Sequence, residues 1–423
     1  MSNHVIEEAH RCLQCKNPRC SEGCPVHTPI RDAIKLLREG NLRTAGEMLY
    51  ANNPLSLVCS YVCPHELQCE GHCVLGIKGM AVQISEIEKY ISDYYLNVYE
   101  PPRPEKIEGD VAIIGSGPAG ITIAIILARR GYRVTIFEGK EHIGGVLRYG
   151  IPDFRLPKSI LERFRSLLER GGVIIRPNTT IGTNITVDDL QRDGYGAIFI
   201  GTGVWKPHAM GIKGESLGNV HYAIDYLRNP DVYNLGESVA VIGAGNTAMD
   251  AARTAIRHGS LNVTVVYQRG EDRMPARKEE YEYAKLDGAS FSFNSATLEF
   301  TREGVVVADS VQNEDGSVSA QPGTERLIKA DSVIIAVGQG PRAVIVSSTG
   351  GIDVTRRGLV AVDDCGRTTR PGVFASGDVV TGAKTVVEAV RVSRRVAEAM
   401  DEYVKSVKSG SPAWPVEESS NKQ

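Results

Sequence analysis

Residues 111–120 read VAIIGSGPAG, and residues 239–248 repeat the design as VAVIGAGNTA. In each, a short apolar strand runs into a glycine turn and then into an apolar helix. Gly115 makes the tight turn, Gly117 lets a pyrophosphate approach the backbone, and Gly120 lets the helix pack close. Ser116, Pro118 and Ala119 complete a loop whose helix N-terminus attracts phosphate. A second strand, Arg133 to Phe137, ends at Glu138, about 20 residues on and placed to bond a ribose hydroxyl. The second copy offers Gly243, Ala244, Gly245, Asn246 and Thr247, with Ala248 in the third glycine position. Its next strand, "VTVVY", ends in Gln268-Arg269 rather than an acid. A guanidinium there suits a 2′-phosphate, which favours NADP over NAD.

Around these two units the chain runs to 423 residues, long enough for two to four domains. A net charge of −3 gives no electrostatic reason to expect nucleic acid or an anionic membrane. The longest apolar run, Ile121 to Ala128, is far too short to cross a bilayer. Met1 to His10 shows no apolar stretch after a basic start, so a cytoplasmic protein is expected. Thr28-Pro29 reads as an N-cap with proline at the first helical position. Pro101-Pro102-Arg103-Pro104 reads as a stiff linker. A third apolar strand is expected over Ser332 to Val337, and a C-terminal helix from about Lys384 to Val404. A polar, fraying tail follows.

Eight of the nine cysteines lie between Cys12 and Cys73. The first group is Cys12-x2-Cys15-x4-Cys20-x3-Cys24-Pro25; the second is Cys59-x3-Cys63-Pro64, then Cys69 and Cys73. Soft thiolates match iron, and runs ending in Cys-Pro mark the two-cluster ferredoxin style, in which sequence groups exchange ligands. A pair of zinc sites is the competing reading, although zinc-ribbon spacing is absent.

The stretches "CLQCKNPRCSEGCPV", "NPLSLVCSYVCPHELQCEGHC" and "AVQISEIEKYI" resemble the cluster domain of the glutamate synthase small subunit and of dihydropyrimidine dehydrogenase. That resemblance implies one [4Fe–4S] cluster on Cys12, Cys15, Cys20 and Cys73. It implies a second on Cys24, Cys63, Cys69 and Glu88, with Cys59 a bystander. "GGVLRYGIPDFRLPK", "FIGTG", "GAGNTAMDAAR", "GVFASGDVV" and "DVVTGAKTVVEAV" resemble the same branch of the flavoprotein disulfide reductase superfamily. The implied fold is α/β: a helical two-cluster domain, then two Rossmann-like domains, the NAD(P) domain inserted in the FAD domain. The corresponding segments are 1–105, 106–236, 237–336 and 337–405, with 406–423 as tail. Carried over by position, FAD would meet the first fingerprint, Glu138, Gly145, Val146, Arg155, Ile181, Gly377, Asp378, Thr385 and Val386. NADP(H) or NAD(H) would meet residues 243–247 and Arg269; the branch often carries two adjacent basic residues where Gln268-Arg269 stands here.

No cysteine pair flanks "GGVLRYGIP", so dithiol catalysis is excluded. Nor is any acid–base or nucleophilic residue required, and His65 and His72 read as spectators. Flavin converts a two-electron hydride into single electrons. The expected function is an electron-transfer subunit of a hetero-oligomer, exchanging electrons with a separate catalytic subunit or a ferredoxin. A stand-alone NAD(P)H:ferredoxin or sulfide/polysulfide oxidoreductase and a non-catalytic redox sensor are the alternatives.

Overall fold

A computed structural model describes residues 2–103, 108–410 and 414. Pro104 of the expected linker, and nearly all of the tail beyond 410, lie outside them. The described residues pack as two units, 1–145 with 155–204 and 341–423, and 146–154 with 205–340.

In the first unit, apolar residues at helical spacing build the N-terminal segment. Helices α1 (Ser2–Arg11), α2 (Ile30–Arg38), α3 (Leu42–Asn52) and α5 (Ile84–Val98) share one core of residues such as Ala9, Ile34, Leu49 and Ile91. The intervening α4 (Ser56–Val62) packs on α5, where the Ser92 hydroxyl donates to Ser56 Oγ at 2.9 Å. Thr28 does not cap α2, which has no side-chain cap. Its hydroxyl instead lies 3.1 Å from Cys24 Sγ, both groups being buried. A buried hydroxyl needs a partner, and here the tertiary neighbour won over the local one.

The remainder of this unit is a parallel five-stranded sheet. Strands β1 (Gly109–Ile114), β2 (Tyr132–Phe137), β3 (Ile174–Arg176) and β4 (Ala197–Ile200) join a late strand, Val373–Ala375, in the order late strand–β4–β1–β2–β3. Helix α6 (Pro118–Arg129) connects β1 to β2 and is nearly all buried. The C-terminal helix, Val386–Lys408, packs on α6 and runs a turn beyond its expected end. Asp401 holds it there, accepting from the Tyr132 hydroxyl at 2.6 Å and pairing with Arg130 and Lys405. Trp414 is not frayed polar tail: its ring packs edge-on against Phe374 and Tyr403.

The second unit has its own parallel sheet. Its strands are β5 (Val220–Tyr222), β6 (Ser238–Ile242), β7 (Asn262–Val266), β8 (Ser290–Ser292) and β9 (Ser332–Ile335), in the order β5–β9–β6–β7–β8. Helix α7 (Asn246–Arg257) covers one face together with α8 (Lys278–Asp287). An antiparallel sheet over Ser295–Thr301, Gly304–Gln312, Val318–Ala320 and Arg326–Lys329 covers the other through Phe300, Val305 and Val307. Sequence reading had not anticipated that sheet.

Candidate functional site

Cys12, Cys15, Cys20 and Cys73 line one apolar hollow with Ile34 and Val74. Burial first, and then the neighbouring Cys12 and Cys73, push the Cys20 thiol up to about 11. Among the described residues no three His, Cys, Asp or Glu side chains meet closely enough to hold a single ion. The four sulfurs instead ring a space, which fits a group of several atoms. Gln14, in the left-handed region at φ 52°, donates its side-chain N–H to Cys12 Sγ at 3.4 Å and to Arg31 O at 3.2 Å. Hydrogen bonds to sulfur tune cluster potentials. Sequence reasoning passed over Gln14, whose only signal is its place inside Cys-x2-Cys.

The second set gathers Cys24, Cys63 and Cys69, all buried, with Glu88 of α5. Burial raises the thiols of Cys24 and Cys69, and Glu88 adds to both. A hydrogen bond with Cys59 leads the rise at Cys63, ahead of burial. Glu88 is itself pushed up to about 8, by burial and then by Glu70. None of the principal influences on these four groups is a cation. Positive charge brought by a bound group, as a cluster's iron would supply, would favour their ionising together. Cys59 sits buried beside Cys63. His72 is exposed, its Nδ1 2.6 Å from Gln68 O. Glu70, also passed over in the sequence, accepts from Ser85 N–H and hydroxyl at 2.8 and 2.7 Å and so fixes the first turn of α5.

Helix α5 sets these features in series. Ile84 lines the first hollow and Glu88 belongs to the second set. Asp93 then pairs at 2.6 Å with Arg163, on the helix Lys158–Arg170. Tyr95 and Tyr99 stack on each other and both pack at a tilt against Tyr50, whose ring carries Arg129 of α6. At about 1.5 Å per residue, the steps from Ile84 to Glu88 and from Glu88 to Asp93 are roughly 6 and 7 Å.

In the first unit's fingerprint, Gly115 has φ +97°, and a Cβ there would lie 2.6 Å from Gly201 O. At Gly120 a Cβ would meet Gly115 O at 2.0 Å, while Gly117 faces open space. The loop thus has glycine where protein crowds it and where a ligand would. Buried Glu138 accepts from Ser116 N–H and hydroxyl and from Lys140 N–H. Gly145 (φ +53°) packs on Gly117, where a Cβ would come within 2.8 Å of its Cα. Gly377 lies against Ala119 at 3.1 Å by the same measure. Next to it, burial pushes the Asp378 carboxyl up to about 6, relieved by the Lys384 N–H it accepts at 3.1 Å. The Thr385 hydroxyl caps the C-terminal helix, which starts at Val386. Ile181 is core, packed in the cluster that holds Phe137. Arg155 belongs to this unit, but Val146 groups with the other.

In the second unit Gly243 has φ +114°, its Cβ position 2.6 Å from Ala336 O, and Gly245 faces open space. The charged stretch after Arg269 straps this loop: Ala276 N–H donates to Ala244 O at 3.0 Å and Arg277 N–H to Asn246 Oδ1 at 2.9 Å. Thr247 follows in the first turn of α7. Arg269 donates to Gly316 O at 3.1 Å, which anchors its guanidinium at the end of β7. In both fingerprints a glycine with open space beside it precedes a helix N-terminus, as a pyrophosphate requires.

Residues 109–394 match the pyridine nucleotide-disulphide oxidoreductases, and residues 1–99 match domain II of dihydropyrimidine dehydrogenase, described as a 4Fe–4S cluster domain. The glutamate synthase [NADPH] small chain of Halomonas elongata is 38% identical over 94% of this chain and 90% of its own length. The NAD-dependent dihydropyrimidine dehydrogenase subunit PreT of Escherichia coli is 32% identical over 95% of this chain and 94% of its own. Among solved structures, FprA of Mycobacterium tuberculosis in complex with NADPH aligns with a TM-score of 0.60 at 20% identity, over 71% of this chain and 86% of that one. Among the described residues no helix is long and apolar enough to cross a membrane.

Proposed function

We propose that this chain, which belongs to the glutamate synthase small-chain family of FAD-dependent NAD(P)H oxidoreductases, is the nicotinamide-facing subunit of a larger enzyme and exchanges electrons with a separate catalytic subunit or a ferredoxin. The observation that carries the reading is the order along α5: a four-thiol hollow, a three-thiol and carboxyl set, then a clamp onto the flavin-type sheet. Flavin, when bound, takes a hydride and releases electrons singly. The chain's own residues bind and orient. Residues 115–120 and Glu138 would hold FAD, with Gly145, Gly377 and Asp378 closing the loop's far side. Residues 243–247 and Arg269 would take the nicotinamide nucleotide, NADP(H) ahead of NAD(H) because Arg269 offers a guanidinium where a carboxylate would repel a 2′-phosphate. Cys12, Cys15, Cys20 and Cys73 would hold one [4Fe–4S] cluster, and Cys24, Cys63, Cys69 and Glu88 a second.

The test is composition and reduction of anaerobically purified protein. Two clusters and one FAD per chain are expected, with NADPH bleaching the flavin faster than NADH. Cys20→Ala should lose the first cluster, and Cys59→Ala should keep both. A colourless protein carrying zinc would end this reading.

A further inference from the structure

The four-thiol hollow opens on an apolar face that the described chain leaves uncovered. Leu13, 60% exposed, and Val74 line the hollow itself. Ile77, 66% exposed, ends the same helical turn as Val74, and Met80, 71% exposed, is tied beside Cys12 by Arg11, whose guanidinium donates to its carbonyl at 2.6 Å. Scattered exposed apolar residues are ordinary, but a group of them around one opening marks an interaction site. The charges beside this face are unbalanced. Lys16 and Arg19 flank it on one stretch and Lys78 on the other, all exposed, and none forms an ion pair among the described residues. Arg11 and Arg31 are already matched by Glu8 and Asp32. Glu22, exposed one helical turn from Arg19, is the acidic exception. The result is an apolar centre with a cationic rim.

We propose that this face docks a protein partner whose electron-accepting surface is acidic around an apolar centre. The inference rests on the electron-transfer reading above and adds where the partner sits and what charge it carries. Position supports it. The hollow lies at the end of α5 opposite the residues that clamp it to the flavin-type sheet, so it is the outer station of the series. With an iron–sulfur group held by Cys12, Cys15, Cys20 and Cys73, this contact would pass one electron between that group and the partner's own one-electron centre, one oxidised as the other is reduced, with no bond made and no proton moved. Complementary charge steers such encounters, and the apolar centre excludes water once they form. A second copy of the chain would bring like-charged rims together. An anionic bilayer matches the charge but offers no acceptor.

The experiment uses the full holoprotein and, as probe, an acidic plant-type [2Fe–2S] ferredoxin, titrated by calorimetry at low and high salt. Binding should weaken at least tenfold between about 20 and 300 mM salt, because exposed charges are screened over that range. The double variant K16E/K78E should bind at least tenfold more weakly, and so should I77Q/M80Q. Both variants should keep wild-type iron and flavin content and NADPH bleaching, which shows that they fold. No binding of the probe, or undiminished binding by the charge-reversed variant, would overturn the proposal. So would a wild-type dimer in light scattering that I77Q/M80Q abolishes, or phosphatidylglycerol vesicle binding lost in the same variants. Failure of NADPH to bleach the wild-type flavin would instead reject the function on which the proposal rests.

Discussion

The carboxylate of Glu138 accepts both the backbone N–H of Ser116, at 2.9 Å, and its hydroxyl, at 2.5 Å. The acid at the end of β2 therefore holds the glycine loop in shape, in addition to the ribose contact proposed for it. Hydrogen bonds to a buried charge are worth about 1.5–3 kcal/mol each to break. Glu138→Gln should lower the stability of the flavin-free protein by roughly 2 kcal/mol in urea denaturation and weaken FAD binding at least tenfold. Ser116→Ala removes only the hydroxyl and should cost about 1 kcal/mol. Equal effects for the two variants would show that the charge is not what matters.

Gly145 and Gly172 both adopt positive φ, +53° and +85°, yet only Gly145 is crowded. Gly172→Ala meets nothing within 4 Å, so it should cost about 1 kcal/mol of backbone strain. Gly145→Ala carries the same strain and drives its Cβ to 2.8 Å from the Gly117 Cα. It should destabilise by about 3 kcal/mol and lose most FAD, measured by thermal unfolding and flavin content. Retention of full flavin by Gly145→Ala would mean that Gly117 does not face the pyrophosphate.

Asp378 sets a pH dependence whose sign is fixed by its direction. Burial lifts its carboxyl from the ordinary 3.8 to about 6. Between those values the folded chain binds the proton more readily than the unfolded one, so this contribution to stability is full at low pH and is lost as pH rises through 6. For the flavin-free protein the loss between pH 5 and pH 7.5 is about 1 kcal/mol. Asp378→Asn keeps an acceptor for Lys384 N–H and removes the titration. Relative to wild type it should gain about that amount on going from pH 5 to pH 7.5, read from urea midpoints. A constant difference at both pH values would show that Asp378 does not titrate in this range.

The parts of the fold that could be read from the sequence are those specified locally. VAIIGSGPAG and VAVIGAGNTA announce strand, turn and helix within a dozen residues, because those three parts are adjacent in the chain, even though the crowding at Gly115 and Gly243 comes from Gly201 and Ala336 elsewhere. Strand β5 has only Val220, His221 and Tyr222, with no alternation to read, and is a strand because β9 pairs with it. The antiparallel sheet did leave a signal, TREGVVV at 301–307. Gly304 is needed there because a Cβ would meet Ile328 O at 2.1 Å. The partition of the cysteines was not legible from spacing. Cys73 lines the same hollow as Cys12, 61 positions earlier, and only the family resemblance assigned it there. Gln14 and Ser85 escaped notice because their roles depend on a left-handed backbone and on a distant carboxylate.

Arg253 is the buried charge on which the second unit most depends. Its side chain is 8% exposed, pairs with Glu280 at 3.1 Å and with Asp287 at 2.9 Å, and lies over the Phe154 ring at 4.6 Å. Glu280 is buried as well, and Arg257 shares Asp287 and the other side of the interaction with Phe154 at 4.4 Å. Removing Arg253 leaves buried Glu280 only Arg277, at 3.8 Å, and Asp287 only Arg257, so the loss falls toward the lower end of the about 3–5 kcal/mol that breaking a buried pair costs. Arg253→Ala should therefore unfold at markedly lower urea, while Arg257→Ala, at a half-exposed position, should cost about 1 kcal/mol or less. Arg253→Lys should recover little, because an ammonium cannot span two carboxylates and stack on a ring at once. Adding Glu280→Gln to Arg253→Ala should restore part of the loss by removing the stranded charge. Additive losses in that double variant would mean that Arg253 acts through packing on Phe154 rather than through the ion pair.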